Sequence, residues 1–295
     1  MGSKNISVIV TTYNGSKYIK KQLDSIFNQT LLPAEIIICD DKSTDDTVSI
    51  LNSYADNSLV NIITNETQLG SVQNFKKAAK LTQKGNWLVF ADQDDIWMPQ
   101  KLKKLADAMQ LLDDSIKPAL IYSDLAIIDK NDTVISTSFW AKQRIYPHKI
   151  NPARLLYGNV VTGCTMIINY AMAEEFFVMD NYTYLHDEWL AFIAYSFGTV
   201  SFLDEKLVLY RQHENNITFS EGYEAQAEKD DLKTNVDYLT GKKAFLSHQF
   251  KLAQSFLNQY GNRLDDKQTR IIKKFIKQKD KNYLLQRINR YLTFL

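Results

Sequence analysis

Apolar residues follow two alternating patterns along the first half of the chain. Short, continuous, β-prone runs at residues 6–10, 35–39, 60–63 and 87–91 predict strands. Between them the spacing is helical. Ile19, Leu23, Ile26 and Phe27 fall on one face, and Pro33 closes that segment. Val72, Phe75 and Ala79 share a face behind Gly70, and Met98, Leu102, Leu105, Met109 and Leu112 share another. Strand and helix alternating at such short intervals predict parallel βαβ units with right-handed crossovers, an α/β fold. The second half is less regular. Strands are predicted at 119–122 (leading to Asp124), 160–168 and 207–213, with a loop over 137–152 and a helix from 185 carrying Leu190, Phe192 and Ile193. From about residue 218 the pattern turns helical, with faces at Leu246, Phe250, Ala253 and Leu257, at Ile272, Phe275 and Ile276, and at Leu284, Leu285, Ile288 and Leu292.

Polar residues cluster directly after three of the predicted strands: Thr11 to Asn14, Asp40 to Asp46, and Asp92 to Asp95. Parallel strands put all three clusters on one sheet edge, where open α/β sheets bind ligands. Each cluster alone reads as a turn; their convergence is the argument for a site. Asp92, Asp94 and Asp95 crowd three carboxylates into four positions. Mg²⁺ or Mn²⁺, which prefer oxygen ligands and bridge to phosphates, are natural counter-charges. The plainer reading is an acidic turn with Asp95 capping the next helix. Ser43 or Thr44 is predicted to cap the helix after the second strand, whose positive end suits Asp45 and Asp46.

Composition narrows the class. The 295 residues are 45% hydrophobic, enough for one large domain or two modest ones. A net charge of +1 offers no case for a nucleic-acid partner. The two cysteines, Cys39 and Cys164, lie in apolar runs and read as buried core thiols, which fits a reducing cytoplasm. No apolar run is long enough to span a membrane, and no signal-like segment precedes the first strand. Residues 262–295 carry ten Lys or Arg against three Asp. That excess predicts either docking on an anionic membrane face or a partner, or solvated charges around helices that pack on the rest of the chain or a second subunit.

Several motifs, in order, resemble glycosyltransferase family 2, the inverting nucleotide-sugar transferases with a GT-A fold. They run from Ser7-Val8-Ile9-Val10-Thr11-Thr12-Tyr13-Asn14 through Asp40-Asp41-Lys42-Ser43-Thr44-Asp45-Asp46-Thr47, Gly70 to Asn74, and Ala91-Asp92-Gln93-Asp94-Asp95-Ile96-Trp97. They continue with Gly163-Cys164, His186-Asp187-Glu188-Trp189 and Tyr210-Arg211-Gln212-His213. The form Asp-Gln-Asp-Asp-Ile-Trp is most similar to bacterial enzymes of surface polysaccharides, many of them rhamnosyltransferases. The resemblance covers roughly residues 6–216 and implies a Rossmann-like, mostly parallel sheet flanked by helices over residues 1–217, with a nucleotide-sugar part to about 125 and an acceptor part to 217; the helical extension over 218–295 is read from its apolar spacing and carries none of these motifs.

The resemblance also assigns roles. Thr11, Tyr13, Asn14, Asp40, Gly70, Asn74, Asp92 and Arg211 fall at nucleotide-binding positions, with Tyr13 stacking on a pyrimidine and Asp40 accepting from the base imide. Asp92, Asp94 and His213 fall at metal positions for Mn²⁺ or Mg²⁺. Asp187 matches the general base, although His186-Asp187-Glu188 departs from the family's usual Glu-Asp and leaves Glu188 as an alternative. Arg211 either clamps diphosphate or pairs with an acid such as Asp204. His186 reads as a hydrogen-bonded helix-start residue, and Trp97 and Trp189 as core or acceptor-site walls. The implied activity is metal-dependent transfer from a UDP- or dTDP-sugar to a glycan, lipid-linked or glycoprotein hydroxyl in the cytoplasm, with peripheral membrane contact or a homodimer through 218–295. The alternatives are a non-catalytic sugar-nucleotide-binding or scaffold subunit, and a nucleotidyltransferase; the latter usually shows a Gly-rich basic phosphate loop that Thr11-Thr12-Tyr13-Asn14-Gly15 lacks.

Overall fold

The computed structural model describes residues 4–179, 185–214, 216 and 246–294. They fall into two compact units, one of residues 1–148 and 160–211, the other of residues 149–159 and 212–295. The boundary expected at 217–218 lies outside the described residues. Among them no helix is long and apolar enough to cross a membrane.

In the first unit the chain runs β1 (Ile6–Thr12), α1 (Ile19–Phe27), β2 (Glu35–Asp40), α2 (Thr47–Asn52), β3 (Val60–Thr64), α3 (Ser71–Ala79) and β4 (Trp87–Ala91). Short β5 (Ile96–Trp97), α4 (Lys101–Leu112), long β6 (Ala119–Ile128), β7 (Val134–Ser136) and α5 (Phe139–Gln143) follow. After α6 (Pro152–Leu155), which belongs to the second unit, come β8 (Ile167–Ile168), α7 (Tyr170–Phe177), α8 (His186–Phe197) and β9 (Thr199–Arg211). The sheet order is β3-β2-β1-β4-β8-β6-β9-β5, with β7 on β6. β3, β2, β1 and β4 are parallel, as the alternation predicts. Beyond β4 the sheet becomes mixed, because β8 runs antiparallel to both β4 and β6, and β5 antiparallel to β9.

Alternation within the strands divides the core. Val8, Val10, Ile36, Ile38, Val89 and Ala91 pack with Ile19, Leu23, Ile26, Leu102, Leu105 and Met109 of α1 and α4. Full burial of each Val, Ile, Leu or Met side chain among these contributes about 1.5–3 kcal/mol before entropy is counted. On the opposite side Phe90 stacks edge-on against Phe75 of α3 and Phe176 of α7.

Four local expectations are corrected. The strand predicted at 160–168 shrinks to β8, because Gly163–Thr165 forms a 3₁₀ turn in which Thr165 N–H and Oγ1 both donate to Thr162 O. The loop predicted at 137–152 contains α5, capped by Ser138 accepting from Ala141 N. The helix predicted from Met98 begins at Lys101, since Ile96 and Trp97 are drawn into pairing with β9 and leave Met98 exposed. Neither Ser43 nor Thr44 caps α2; Asp46 holds the N-cap position without a side-chain cap bond.

The second unit joins α6 to α9 (Ser247–Tyr260), α10 (Asp266–Ile276) and α11 (Tyr283–Phe294). Residues 149–159, expected with the acceptor part, cluster here because Tyr157 packs edge-on against Phe275 of α10 at 5.0 Å and exchanges hydrogen bonds with Gln278.

Candidate active site

The parallel register aligns the strand ends. Thr12 stands beside Asp40, and Val10 beside Ala91, so the turns after β1, β2 and β4 meet on one edge. They are laced together. Tyr13 N–H donates to Gln93 Oε1 at 2.8 Å, and Gln93 Nε2 returns a bond to Tyr13 O at 3.0 Å. Asn14, at φ 48°, accepts from Thr44 N through Oδ1 and donates its N–H to Ser43 Oγ. The Tyr13 ring stays exposed while Thr11 is buried.

At the end of β2 the acids are saturated. Asp40 is 0% exposed; it accepts from Thr12 Oγ1 at 2.7 Å, Ser43 Oγ at 2.6 Å and Ser43 N at 2.8 Å. The imide bond expected of Asp40 therefore has no exposed oxygen to reach. Asp41 accepts from Asn65 Nδ2, Leu69 N and Gly70 N, and Gly70 is placed for this by φ +80°, which a side chain would oppose. Asn74 is buried as well, bonding Asn65 through Oδ1 and Cys39 O through Nδ2, so it braces α3 against β2 and presents nothing to a nucleotide.

At the end of β4 the acids face one another. Ligand atoms of Asp92, Asp95 and Cys164 lie within 4.8 Å of each other. Burial, then the charges of Asp94 and Asp187, push the Asp92 carboxyl up to about 7. Burial and the charges of Asp94 and Asp92 hold Asp95 well above its ordinary value. The capping role expected of Asp95 is not found: it is fully buried, and its Oδ1 accepts from Arg211 N at 3.1 Å. Burial also pushes the Cys164 thiol well above its usual range and Cys39 to about 11, so both are free, buried and un-ionised near neutral pH. The donor set is thus carboxylate oxygen without thiolate, which fits a hard divalent cation.

Lys101, which sequence reasoning missed, is the cation beneath this cluster. It is 0% exposed, donates from Nζ to Cys164 O at 2.6 Å and lies 3.2 Å above the centre of the Trp97 ring. Burial lowers its pKa to about 7. A signal existed: Lys101 precedes Leu105 by four and adjoins Leu102, which puts a charge on the apolar face of α4.

Arg211 is a buried strut. Its Nε donates to Asp94 O at 2.7 Å, its Nη1 to Asp129 O at 3.1 Å, and its ion pair is with Asp132. The Asp204 pairing is not formed; Asp204 lies 3.7 Å from Lys206. Arg211 thereby fixes the backbone of the acidic turn from behind. His213 belongs to the second unit, where its N–H donates to Asn216 Oδ1.

Asp187 reaches the cluster from the first turn of α8. It is half-buried, accepts from Gly163 N at 2.9 Å and Glu188 N at 2.6 Å, and adds its charge to the load on Asp92. Glu188 is only 3% exposed. A Cβ at Gly163 would meet His186 Nε2 at 2.9 Å, so a glycine is what lets the His186 ring pack against this backbone beside Asp187. His186 is not hydrogen-bonded as expected. It sits among Phe75, Phe90 and Phe176 with both nitrogens unpartnered, and burial pushes its pKa down to about 3, which keeps it neutral. Trp97 and Trp189 are both buried in the core.

A nine-stranded α/β sheet with acids converging at the ends of its strands defines a ligand-binding edge of the GT-A kind. Residues 7–177 match the model of glycosyl transferase family 2, and the chain belongs to that family. An uncharacterized glycosyltransferase of Haemophilus influenzae is 32% identical over 173 residues, which is 59% of this chain and 54% of that protein. The match thus spans about half the length of that curated relative. The dTDP-rhamnosyl transferase RfbG of Shigella flexneri is 29% identical over 70% of this chain and 72% of its own. The crystal structure of S. aureus TarS 1–349 in complex with UDP-GlcNAc superposes with a TM-score of 0.58 at 21% identity, covering 93% of this chain and 81% of that one. The fold is that of this GT-A structure.

Proposed function

We propose that this protein is an inverting glycosyltransferase that moves a sugar from a UDP- or dTDP-sugar to a hydroxyl of a bacterial cell-surface glycan or its lipid-linked precursor. The observation that carries the reading is the Asp187 carboxylate, held by Gly163 N beside an acidic turn where burial and crowded carboxylates push Asp92 up to about 7. RfbG, a dTDP-rhamnosyl transferase by name, and TarS, solved with UDP-GlcNAc, support the two donor classes.

Asp187 takes the proton of the acceptor hydroxyl as that oxygen bonds to the anomeric carbon. General-base help of this kind is typically worth about 10²–10⁴ in rate. The bond from that carbon to the diphosphate breaks on the opposite face, and the electron pair leaves with the nucleoside diphosphate. Asp187 is preferred over Glu188 because it is half-exposed and anchored by two backbone N–H groups, whereas Glu188 is buried. Asp92 and Asp94 would hold Mn²⁺ or Mg²⁺, which supplies Lewis-acid charge to the departing diphosphate when bound. The exposed Tyr13 ring offers the base a stacking face. Arg211 and Lys101 act from below, fixing the turn and offsetting part of its charge.

The test is release of nucleoside diphosphate from a panel of UDP-, dTDP- and purine-linked sugars, with Mn²⁺, Mg²⁺ or chelator. Turnover of a pyrimidine donor that stops in chelator is the expected result. Preference for a purine donor, or full activity in chelator, would overturn the donor or the metal assignment respectively. Binding without any turnover across donors and acceptors would favour a scaffold subunit.

A further inference from the structure

Helix α11 is turned the wrong way for an ordinary surface helix. Leu284, Leu285, Ile288, Tyr291 and Leu292 occupy one arc of about 120° on a helical wheel. They are 57%, 46%, 54%, 66% and 61% exposed. The side facing the protein is polar instead. Gln286 is 5% exposed, and its amide donates to the carbonyls of Gln278 at 3.0 Å and Lys281 at 2.9 Å. Hydrogen bonds to the preceding turn therefore set the helix's orientation, and they point its apolar stripe outward. Contiguous exposed apolar surface of this kind marks an interaction site.

The surroundings specify the occupant. The preceding helix α10 is held at its start by a capping box between Asp265 and Gln268 and buries Ile272 and Phe275. It exposes Lys267, Arg270, Lys273, Lys274 and Lys277, and exposed Lys279 and Lys281 follow in the turn to α11. Over residues 262–295 ten Lys or Arg stand against three Asp. A second copy brought to this stripe would bring two strongly cationic segments together, a like-charge juxtaposition that opposes docking. An anionic bilayer satisfies both features, taking the apolar stripe at the acyl boundary and the cations at the phosphates.

We propose that the second unit docks on anionic lipid, with α11 lying in the interface and the lysines of α10 on the headgroups. The attachment is peripheral and salt-sensitive. It stands independently of the transfer chemistry.

Co-sedimentation of the full chain with vesicles of phosphatidylglycerol in phosphatidylcholine, against phosphatidylcholine alone, tests it at low and high salt. Binding is expected only to the anionic vesicles and is expected to fall with salt. Lys273→Gln, Lys274→Gln and Lys277→Gln together should weaken it about a hundredfold. Ile288→Glu with Leu292→Glu should weaken it at least about tenfold. Both sets change exposed side chains, and circular dichroism checks that each still folds. The lipid and salt comparison on the unaltered chain needs no variant. Absence of binding to either vesicle, or equal binding to both, overturns the proposal. So does a dimer by sedimentation velocity that dissociates in the Ile288→Glu, Leu292→Glu chain without any vesicle binding, since a second copy would then cover the stripe.

Discussion

Two pairs of acids lie at the ends of the strands that flank β1 and do opposite things. Asp40 and Asp41, after β2, collect donors from Thr12, Ser43, Asn65, Leu69 and Gly70 until each carboxylate is satisfied within the chain. After β4, Asp95 is fully buried and Asp92 partly so; Lys101 and the Arg211 N–H stand close, but the crowding of Asp92, Asp94, Asp95 and Asp187 outweighs them and holds both Asp92 and Asp95 above the ordinary carboxylate range. Burial with donors gives a structural pin, whereas burial among like charges gives a site that gains from a cation or a proton. Sequence alone cannot tell the pairs apart, because both read as Asp-rich turns after an apolar run.

The sharpest test of the catalytic side is Asp187→Asn. It should lower transfer about 10²–10⁴-fold while donor affinity, read by calorimetry, is kept. If Glu188→Gln is inactive and Asp187→Asn is not, the base has been misassigned. Stability should sort the two pairs the other way. Asp41→Ala leaves Leu69 and Gly70 N–H groups without their acceptor and should cost about 3 kcal/mol in urea unfolding, at about 1–3 kcal/mol per orphaned group. Asp92→Asn removes a mutually repelling charge and should leave stability unchanged or raised while abolishing transfer. Equal destabilisation by both would collapse the comparison.

Gly163→Ala probes the link between the acidic turn and α8. Its Cβ would fall 2.9 Å from His186 Nε2 and 3.5 Å from Asp187 Oδ2. Overpacking should cost about 1–3 kcal/mol, and displacement of the carboxylate should lower kcat about tenfold.

The smallest net effect is in pH dependence, where two opposed contributions offset each other. Asp92 is held up to about 7, so from the ordinary carboxylate range to about 7 the folded chain keeps a proton that the unfolded chain has lost. Its contribution to stability therefore falls as pH rises through that window. His186 is pushed from 6.5 to about 3, so over that interval the unfolded chain takes up a proton that the folded chain refuses, and stability falls as pH drops. The two slopes oppose each other, each about 1.4 kcal/mol per pH unit for one proton. Relative to the parent, His186→Phe should gain stability as pH falls below 6.5, and Asp92→Asn should lose it. Urea unfolding across that range reads both.

Local pattern was enough for β1, β2 and β4, because a strand buried on both faces must be continuously apolar, and for the edge strand β3, whose run is β-prone though partly exposed; a helix packed on one face must repeat near 3.6 residues. The same reasoning placed Thr11, Asp40 and Asp92 on one sheet edge, and the motif order led to the family. It failed at β8, where a 3₁₀ turn competes with strand pairing, and at residues 149–159, which pack with α10. Periodicity says which face of an element is buried, but not what a buried charge will meet there. That Asp40 finds Thr12 and Ser43, that Lys101 reaches Cys164, that Arg211 takes Asp132 and not Asp204, and that Gly163 receives Asp187 all depend on side chains brought together across the fold. The amphipathic pattern of α11 was likewise legible, but its orientation was not: three carbonyls near Gln286 turn the apolar stripe away from the preceding turn of the second unit. Short-range pattern follows from backbone geometry and burial, whereas the partner of a charge is chosen by distance in space, which only the folded chain sets.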